Sequence, residues 1–288
     1  MTDSVTEVAV EAANTLICLI PHFNNPEGLE RSLASIGPQE RCDVLVVDDG
    51  SVRAPINPAS ARAAFKGQGV LRFLNLPQNR GIEHALNSGL NWIIARGYSR
   101  VARLDCGDTN LPDRFARQMQ FMDANPGVKL LGGAASMVVP AGEPDAGKEQ
   151  FVLRHPAAQA GILLAMQRNS AFIHPSVMFD VAALETTGLY PLNAPAAEDY
   201  ALFWQFVTHF QTANLPDVLI RYEVDASGIS LSKRQTQLRS RLALQWRYRH
   251  TGFGAYVGVL RTLALLALPY GLIFKLKQRL RNRGKGEQ

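Results

Sequence analysis

Apolar residues come in short runs, and polar, turn-forming stretches separate them. Residues 15–21, TLICLIP, form a β-rich run that ends at a proline. The next stretch, HFNNPEGLERSLASI, opens with turn formers and places Leu29, Leu33 and Ile36 at helical spacing, with Pro26 suited to the first turn. Residues 43–49, DVLVVDD, predict a second buried strand ending in two carboxylates. Residues 70–75 predict a third strand and 81–96 a helix with Ile82, Ala85, Leu86, Leu90, Ile93 and Ile94 on one side. Residues 100–104 predict a fourth strand, again followed by an acid, Asp105. A helix opening at Pro112 is predicted over 112–124, and a strand over 128–132.

Strands alternating with helices predict an α/β fold around a mostly parallel central sheet flanked by helices. In such sheets ligands bind outside the carboxyl ends of the strands, where the polar residues of this chain gather. No G-x-G-x-x-G follows the first strand, and no G-x-x-x-x-G-K-[ST] occurs, so dinucleotide and P-loop readings lose their main support. Residues 140–149, PAGEPDAGKE, form a polar, turn-rich seam; 151–220 alternate short helical and extended pieces; 231–250 are polar and helix-prone.

Four polar clusters carry candidate chemistry: Pro21–Asn25, Asp48–Ser51, Arg103–Asp108 and Glu198–Asp199. Singly, each has a plain reading as a turn, a cap or a solvated helix start. Together they place three pairs of acids in one frame, two of them just after apolar strands. Close carboxylates repel unless a cation balances them, and hard oxygen ligands favour Mg2+ or Mn2+.

The ordered set LICLIPHFNN, VLVVDDGS, NRGIEHALNSGL, RLDCGDTNLPDRF, HPSVMF and AEDYALF resembles the family-2 inverting glycosyltransferases of bacterial polysaccharide synthesis, over about Leu16 to Ser232. The resemblance implies a GT-A fold, a nucleotide-sugar donor (UDP or dTDP), Mn2+ or Mg2+, and a single displacement at the anomeric carbon. It implies that Pro21, Asn24, Asp48, Asp49, Asn79, Gly81 and Asp105 line the nucleotide, and that Asp105 and Asp108 face the diphosphate and metal. Asp199 matches the base that takes the acceptor proton, with Glu198 supporting it or touching the acceptor. His174 is expected either as a donor or acceptor contact or as a histidine fixing a turn before a strand, and His22 as a wall of the nucleotide site. Two departures stand out. The usual acidic run is Asp-x-Asp-Asp, whereas here Asp105-Cys106-Gly107-Asp108 lacks the central acid. Many relatives read Tyr-Arg-x-His further on, whereas here the segment is Tyr222-Glu223-Val224-Asp225. Asp225 is therefore expected to lend a carboxylate to the metal. Gly107 keeps open a second reading, a catalytically degenerate nucleotide-sugar-binding or scaffold relative. A nucleotidyltransferase would need a lysine-rich phosphate loop after the first strand, and HFNNPEG has no lysine.

Composition adds one point. The chain has 288 residues, 47% hydrophobic and 19% charged, ample for a core without disulfides. Three scattered cysteines, Cys18, Cys42 and Cys106, show no zinc spacing and suit a reducing compartment. The net charge of +5 sits in the tail: from Lys275 onward six basic residues face one acid, and the rest of the chain holds 24 of each sign. That excludes a basic body gripping nucleic acid. Residues 255–274 are apolar apart from Arg261 and Thr262, but the clean stretch from Leu263 to Phe274 is 12 residues, too short to span a bilayer. An apolar segment followed by a basic tail predicts an interfacial anchor on an anionic membrane surface.

The expected organisation is an N-terminal extension (1–14), a GT-A domain (15–232) with a nucleotide-sugar half (15–135) and an acceptor half (136–232), and a helical membrane-associating extension (233–288). Residues 1–14 contain Asp3, Glu7 and Glu11 with no basic n-region, which does not read as a signal peptide. The expected location is cytoplasmic, peripheral to the inner face of the membrane, with a glycolipid or polysaccharide acceptor.

Overall fold

The computed structural model describes residues 15–224, 233–249 and 253–267. In chain order its elements are β1 (Leu16–His22), α1 (Pro26–Ala34), β2 (Asp43–Asp48), α2 (Pro58–Ala64), β3 (Leu71–Asn75), α3 (Ile82–Ile94), β4 (Arg100–Arg103), β5 (Thr109–Asn110), α4 (Arg114–Ala124), β6 (Val128–Val138) and β7 (Glu149–Leu153). Then come α5 (Gln159–Met166), a 3₁₀ turn at His174–Ser176, β8 (Met178–Asp180), α6 (Leu184–Thr187), α7 (Glu198–His209), β9 (Gln211–Glu223), α8 (Arg234–Arg247) and α9 (Phe253–Ala267).

Among the described residues nine strands form one sheet in the order β3-β2-β1-β4-β8-β6-β9-β5, with β7 on β6. β1, β2, β3 and β4 are mutually parallel, and β6 and β9 are parallel to each other. β5, β7 and β8 each run antiparallel to their neighbours, which makes the sheet mixed. These three strands have two to five residues, too short for a hydrophobic pattern to reveal them.

Period-two alternation divides the strands between two cores. Ile17, Leu19, Leu45 and Val47 pack with Ala85, Leu86, Leu90 and Ile93 of α3 and with α5 and α7 on one face. Leu16, Cys18, Ile20, Val44 and Val46 pack with Leu29 and Leu33 of α1, Phe115 and Met122 of α4, and Ala61 of α2 on the other. Helix α1 starts where expected because Asn25 caps it, its Oδ1 accepting from Gly28 N–H at 3.0 Å.

The register aligns the strand ends. His22 lies opposite Asp48, Asp48 opposite Asn75, and Leu19 opposite Arg103. The loops after β1, β2 and β4 therefore leave one edge of the sheet side by side. The C-terminal helices dock behind α7. Trp204 stacks on Tyr248 (5.0 Å between centroids, 5° between planes), and Gln245 Nε2 donates to Gln167 O and Arg168 O. Thr262 Oγ1 donates to Gln245 Oε1 at 2.8 Å, and Gly258 touches the Gln167 carbonyl so closely that a Cβ there would collide with it. Asp225 and the basic tail from Lys275 lie outside the described residues.

Candidate active site

The predicted nucleotide-side residues form one tightly bonded group. His22 Nε2 accepts from Asn25 N–H at 3.1 Å, so Nδ1 carries the proton and donates to Asp48 Oδ1 at 2.9 Å. Ser51 Oγ donates to the same carboxylate oxygen and accepts from Asn24 N–H at 2.8 Å. Asn24 sits at φ 49°, and its Oδ1 accepts from Arg53 N–H and Ala54 N–H at 3.0 and 3.1 Å. Asp49 holds the loop after β3, Oδ1 taking Arg80 N–H at 3.0 Å and Oδ2 taking Gly81 N–H at 2.9 Å. Gly50, at φ 67°, passes so close to the backbone of Gln78 and Asn79 that a Cβ would collide. Pro21 lies within β1 opposite Val47, and Asn79 is exposed beside Gly50. These contacts make Asp48 and Asp49 the fasteners that join three loops at the sheet edge. His22 is buried and serves as their strut.

The second group contrasts with the first. Asp105, with its side chain 30% exposed, accepts from Arg103 Nη2 at 2.6 Å. Arg103 is fully buried; its Nη1 donates to Leu19 O, and its Nε donates to His174 Nε2 at 3.4 Å. His174 Nε2 also accepts a hydrogen bond from the Tyr190 hydroxyl at 2.8 Å. Burial and the nearby Arg103 charge push the His174 pKa below its ordinary value, so its ring stays neutral and accepts. Arg103 opens the third polar cluster of the sequence, which assigns it no role. Its signal is a charge at an inward position of the apolar strand VARL, which an interior tolerates only when the charge is paired.

Asp108 is buried, and Oδ1 accepts from Glu223 N–H at 2.9 Å. Burial first, and the Asp105 charge next, raise its pKa well above the ordinary carboxylate range. Ser32 Oγ takes Gly107 N–H at 2.9 Å and donates to Asp108 O at 2.8 Å, pinning this loop to α1.

Glu198 and Asp199 open α7. Asp199 Oδ1 accepts from Tyr200 N–H at 2.7 Å within the first turn, where its negative charge suits the positive helix end. Glu198 is buried with Oε2 lacking a partner among the described residues. Burial first, then the Asp199 charge, push its pKa up to about 8. Half-buried Tyr222 has its pKa raised by burial first and then by the charges of Asp105, Asp108 and Asp199, which face it from one mouth. That mouth therefore unites the ends of β4, β9 and α7, and Arg103 links it to His174. Glu223 also belongs to it and was missed from sequence. Its carboxylate lies beside Gly107 and pairs with Arg31 Nη2, at 3.2 Å to each oxygen.

The arrangement offers hydrogen-bonded loops at the sheet edge, hard oxygen donors, and an acid at a helix start beside a neighbour that burial keeps largely protonated at neutral pH. Among the described residues no three histidine, cysteine, aspartate or glutamate side chains stand as a ready-made chelating group. A surface cavity lined by residues such as Tyr98, Met119 and Leu189 contains none of these acids.

Residues 17–137 match the family described as "Glycosyl transferase family 2". Over 266 residues the chain is 29% identical to an uncharacterized glycosyltransferase of Haemophilus influenzae, covering 88% of this chain and 93% of the relative. It is 29% identical over 260 residues to the amylovoran biosynthesis glycosyltransferase AmsE of Erwinia amylovora, covering 86% and 92%. Among solved structures, S. aureus TarS (residues 1–349) in complex with UDP superposes at TM-score 0.60 and 16% identity, covering 86% of this chain and 70% of that one. The mannosyltransferase PcManGT of Pyrobaculum calidifontis, in complex with GDP-Man and Mn2+, superposes at 0.58 and 18%, covering 88% and 70%. At these identities the structural likeness shows the fold.

Proposed function

Because this chain carries a family-2 glycosyltransferase domain of the GT-A fold, we propose that it moves one sugar from a UDP- or dTDP-sugar to a hydroxyl of a lipid-linked or polysaccharide acceptor by an inverting single displacement. The observation that carries this reading is the mouth shared by Asp105, Asp108, Glu198 and Asp199. An alcohol attacks well only as its proton leaves, and Asp199 is the acid placed to take it. Glu198, protonated over much of the neutral range, donates a hydrogen bond to the acceptor or to Asp199 without adding charge. The loops fastened by Asp48 and Asp49 cradle base and ribose, with Pro21, Asn24, Asn79 and Gly81 along them. His174 sets the position of Arg103 and through it Asp105.

The donor set at Asp105 and Asp108 is all oxygen, which suits Mg2+ or Mn2+, and the Glu223 carboxylate lies beside Gly107 between them in sequence. Bound there, the cation would neutralise charge developing on the departing diphosphate. The acceptor side faces a membrane. Among the described residues no helix is long and apolar enough to cross one. Trp246, Tyr256, Leu260 and Leu263 are exposed on α8 and α9, and residues 233–267 hold seven basic residues and no acid. Each cation near an anionic surface contributes about 1 kcal/mol. The polysaccharide role accords with the AmsE relative.

A thermal-shift screen of nucleotide-sugars with and without Mn2+ tests the reading, since a ligand of the folded state raises the melting temperature. A UDP- or dTDP-sugar that stabilises more with Mn2+ is the expected result. No shift with any nucleotide-sugar would contradict it.

A further inference from the structure

The acidic loop carries Gly107 where the resembled family has a central carboxylate, and the backbone there disfavours a side chain. Gly107 sits at φ 109°, a conformation that a residue with a side chain rarely adopts. A Cβ built on it would have Glu223 Oε2 as its nearest neighbour, at 3.5 Å. We propose that Glu223 supplies the missing carboxylate to the divalent cation of the donor complex, and that Arg31 holds Glu223 in place until the cation takes it over. The proposal rests on the reading of this mouth as the site of a nucleoside diphosphate and a metal.

Three features fix Glu223 in that role. Its own N–H donates to Asp108 Oδ1 at 2.9 Å, which locks the end of β9 in register with the loop. Ser32 bonds the loop backbone at Gly107 and Asp108, and Arg31 precedes it on α1, so cation and carboxylate approach from elements tied to the same loop. The ion pair is also replaceable. A single nitrogen, Arg31 Nη2, reaches both oxygens at 3.2 Å, short of the two parallel bonds of a strong arginine–carboxylate fork. The side chains are 37% and 23% exposed, so solvent and ions reach them. A divalent ion with Asp105 and Asp108 behind it brings twice the charge of the guanidinium.

The test measures Mn2+ affinity directly, by the electron paramagnetic resonance signal of free Mn2+. The protein is saturated with UDP, dTDP or GDP, whichever raises its melting temperature most. Glu223→Gln is expected to weaken Mn2+ binding about tenfold or more, the scale on which lost partners of a metal site act. Glu223→Asp keeps the charge and is expected to retain most of the affinity, which separates a ligand from a folding defect. Arg31→Gln removes the competitor and is expected to tighten Mn2+ severalfold. If Asp108→Asn abolishes Mn2+ binding while Glu223→Gln matches the wild type, the role of Glu223 is overturned and the site reading stands. If Arg31→Gln weakens Mn2+ binding, Arg31 is not the placeholder. If the wild type with nucleotide holds no Mn2+, both the proposal and the metal site beneath it fall.

Discussion

Two groups of acids meet at one edge of the sheet and are treated in opposite ways. Asp48 and Asp49 are satisfied: one is bonded by His22 and Ser51, the other by two backbone N–H groups. Asp108 and Glu198 are buried among other acids with too few donors, and their pKa values rise. Both groups cost free energy to desolvate, but the first is compensated within the fold and the second is not. Satisfied acids build the floor of the site. Unsatisfied ones mark where, on the proposed function, a ligand completes the structure.

Substitutions break this contrast in predictable ways. The largest loss of stability is expected where a satisfied charge is orphaned. Arg103→Ala leaves Asp105 without its partner and removes the cation seated on Leu19 O, at a cost of about 3–5 kcal/mol, read as a fall in denaturation midpoint. His22→Ala removes a neutral strut and leaves Asp48 partly unpaired, for about 1–3 kcal/mol.

Glu198→Gln should behave in reverse. The folded-state pKa of Glu198, about 8, lies above its ordinary 4.5, so the folded protein binds the extra proton. That contribution is complete below about pH 4.5 and is lost as pH rises through about 8. Glu198→Gln should flatten the decline in melting temperature over that window and leave the variant the more stable one above it. A parallel decline in both proteins would show that Glu198 is solvated. The smallest effect is expected far from either group. Leu260→Ser with Leu263→Ser on α9 should weaken co-sedimentation with anionic vesicles and leave donor binding unchanged.

The sequence made the floor more legible than the mouth. β1, β2 and β4 announce themselves as apolar runs ending in acids, and α1 and α3 as periodic stripes, so the edge where the loops gather could be placed from pattern alone. The short antiparallel β5, β7 and β8 had no such signal, because their place depends on partners far along the chain. Asp48 and Asp49 stood out as residues, but their partners at His22 and at the backbone of Arg80 and Gly81 follow only from the way three loops fold together. Glu223 carries no signal of its own in the sequence, because the family resemblance points two residues on, to Asp225. Proximity to Gly107 depends on β9 lying beside the acidic loop, a contact across 115 residues of chain.

The central claim is that Asp199, at the unsatisfied mouth, takes the proton of the acceptor. It is tested most directly by comparing wild type and Asp199→Asn in two assays on the same protein: stabilisation by the donor, and incorporation of its labelled sugar into a lipid and polysaccharide extract of the source membranes. The account predicts unchanged donor stabilisation with incorporation reduced about 10²–10⁴-fold, the range that a positioned base contributes. Incorporation at the wild-type rate in Asp199→Asn would contradict it.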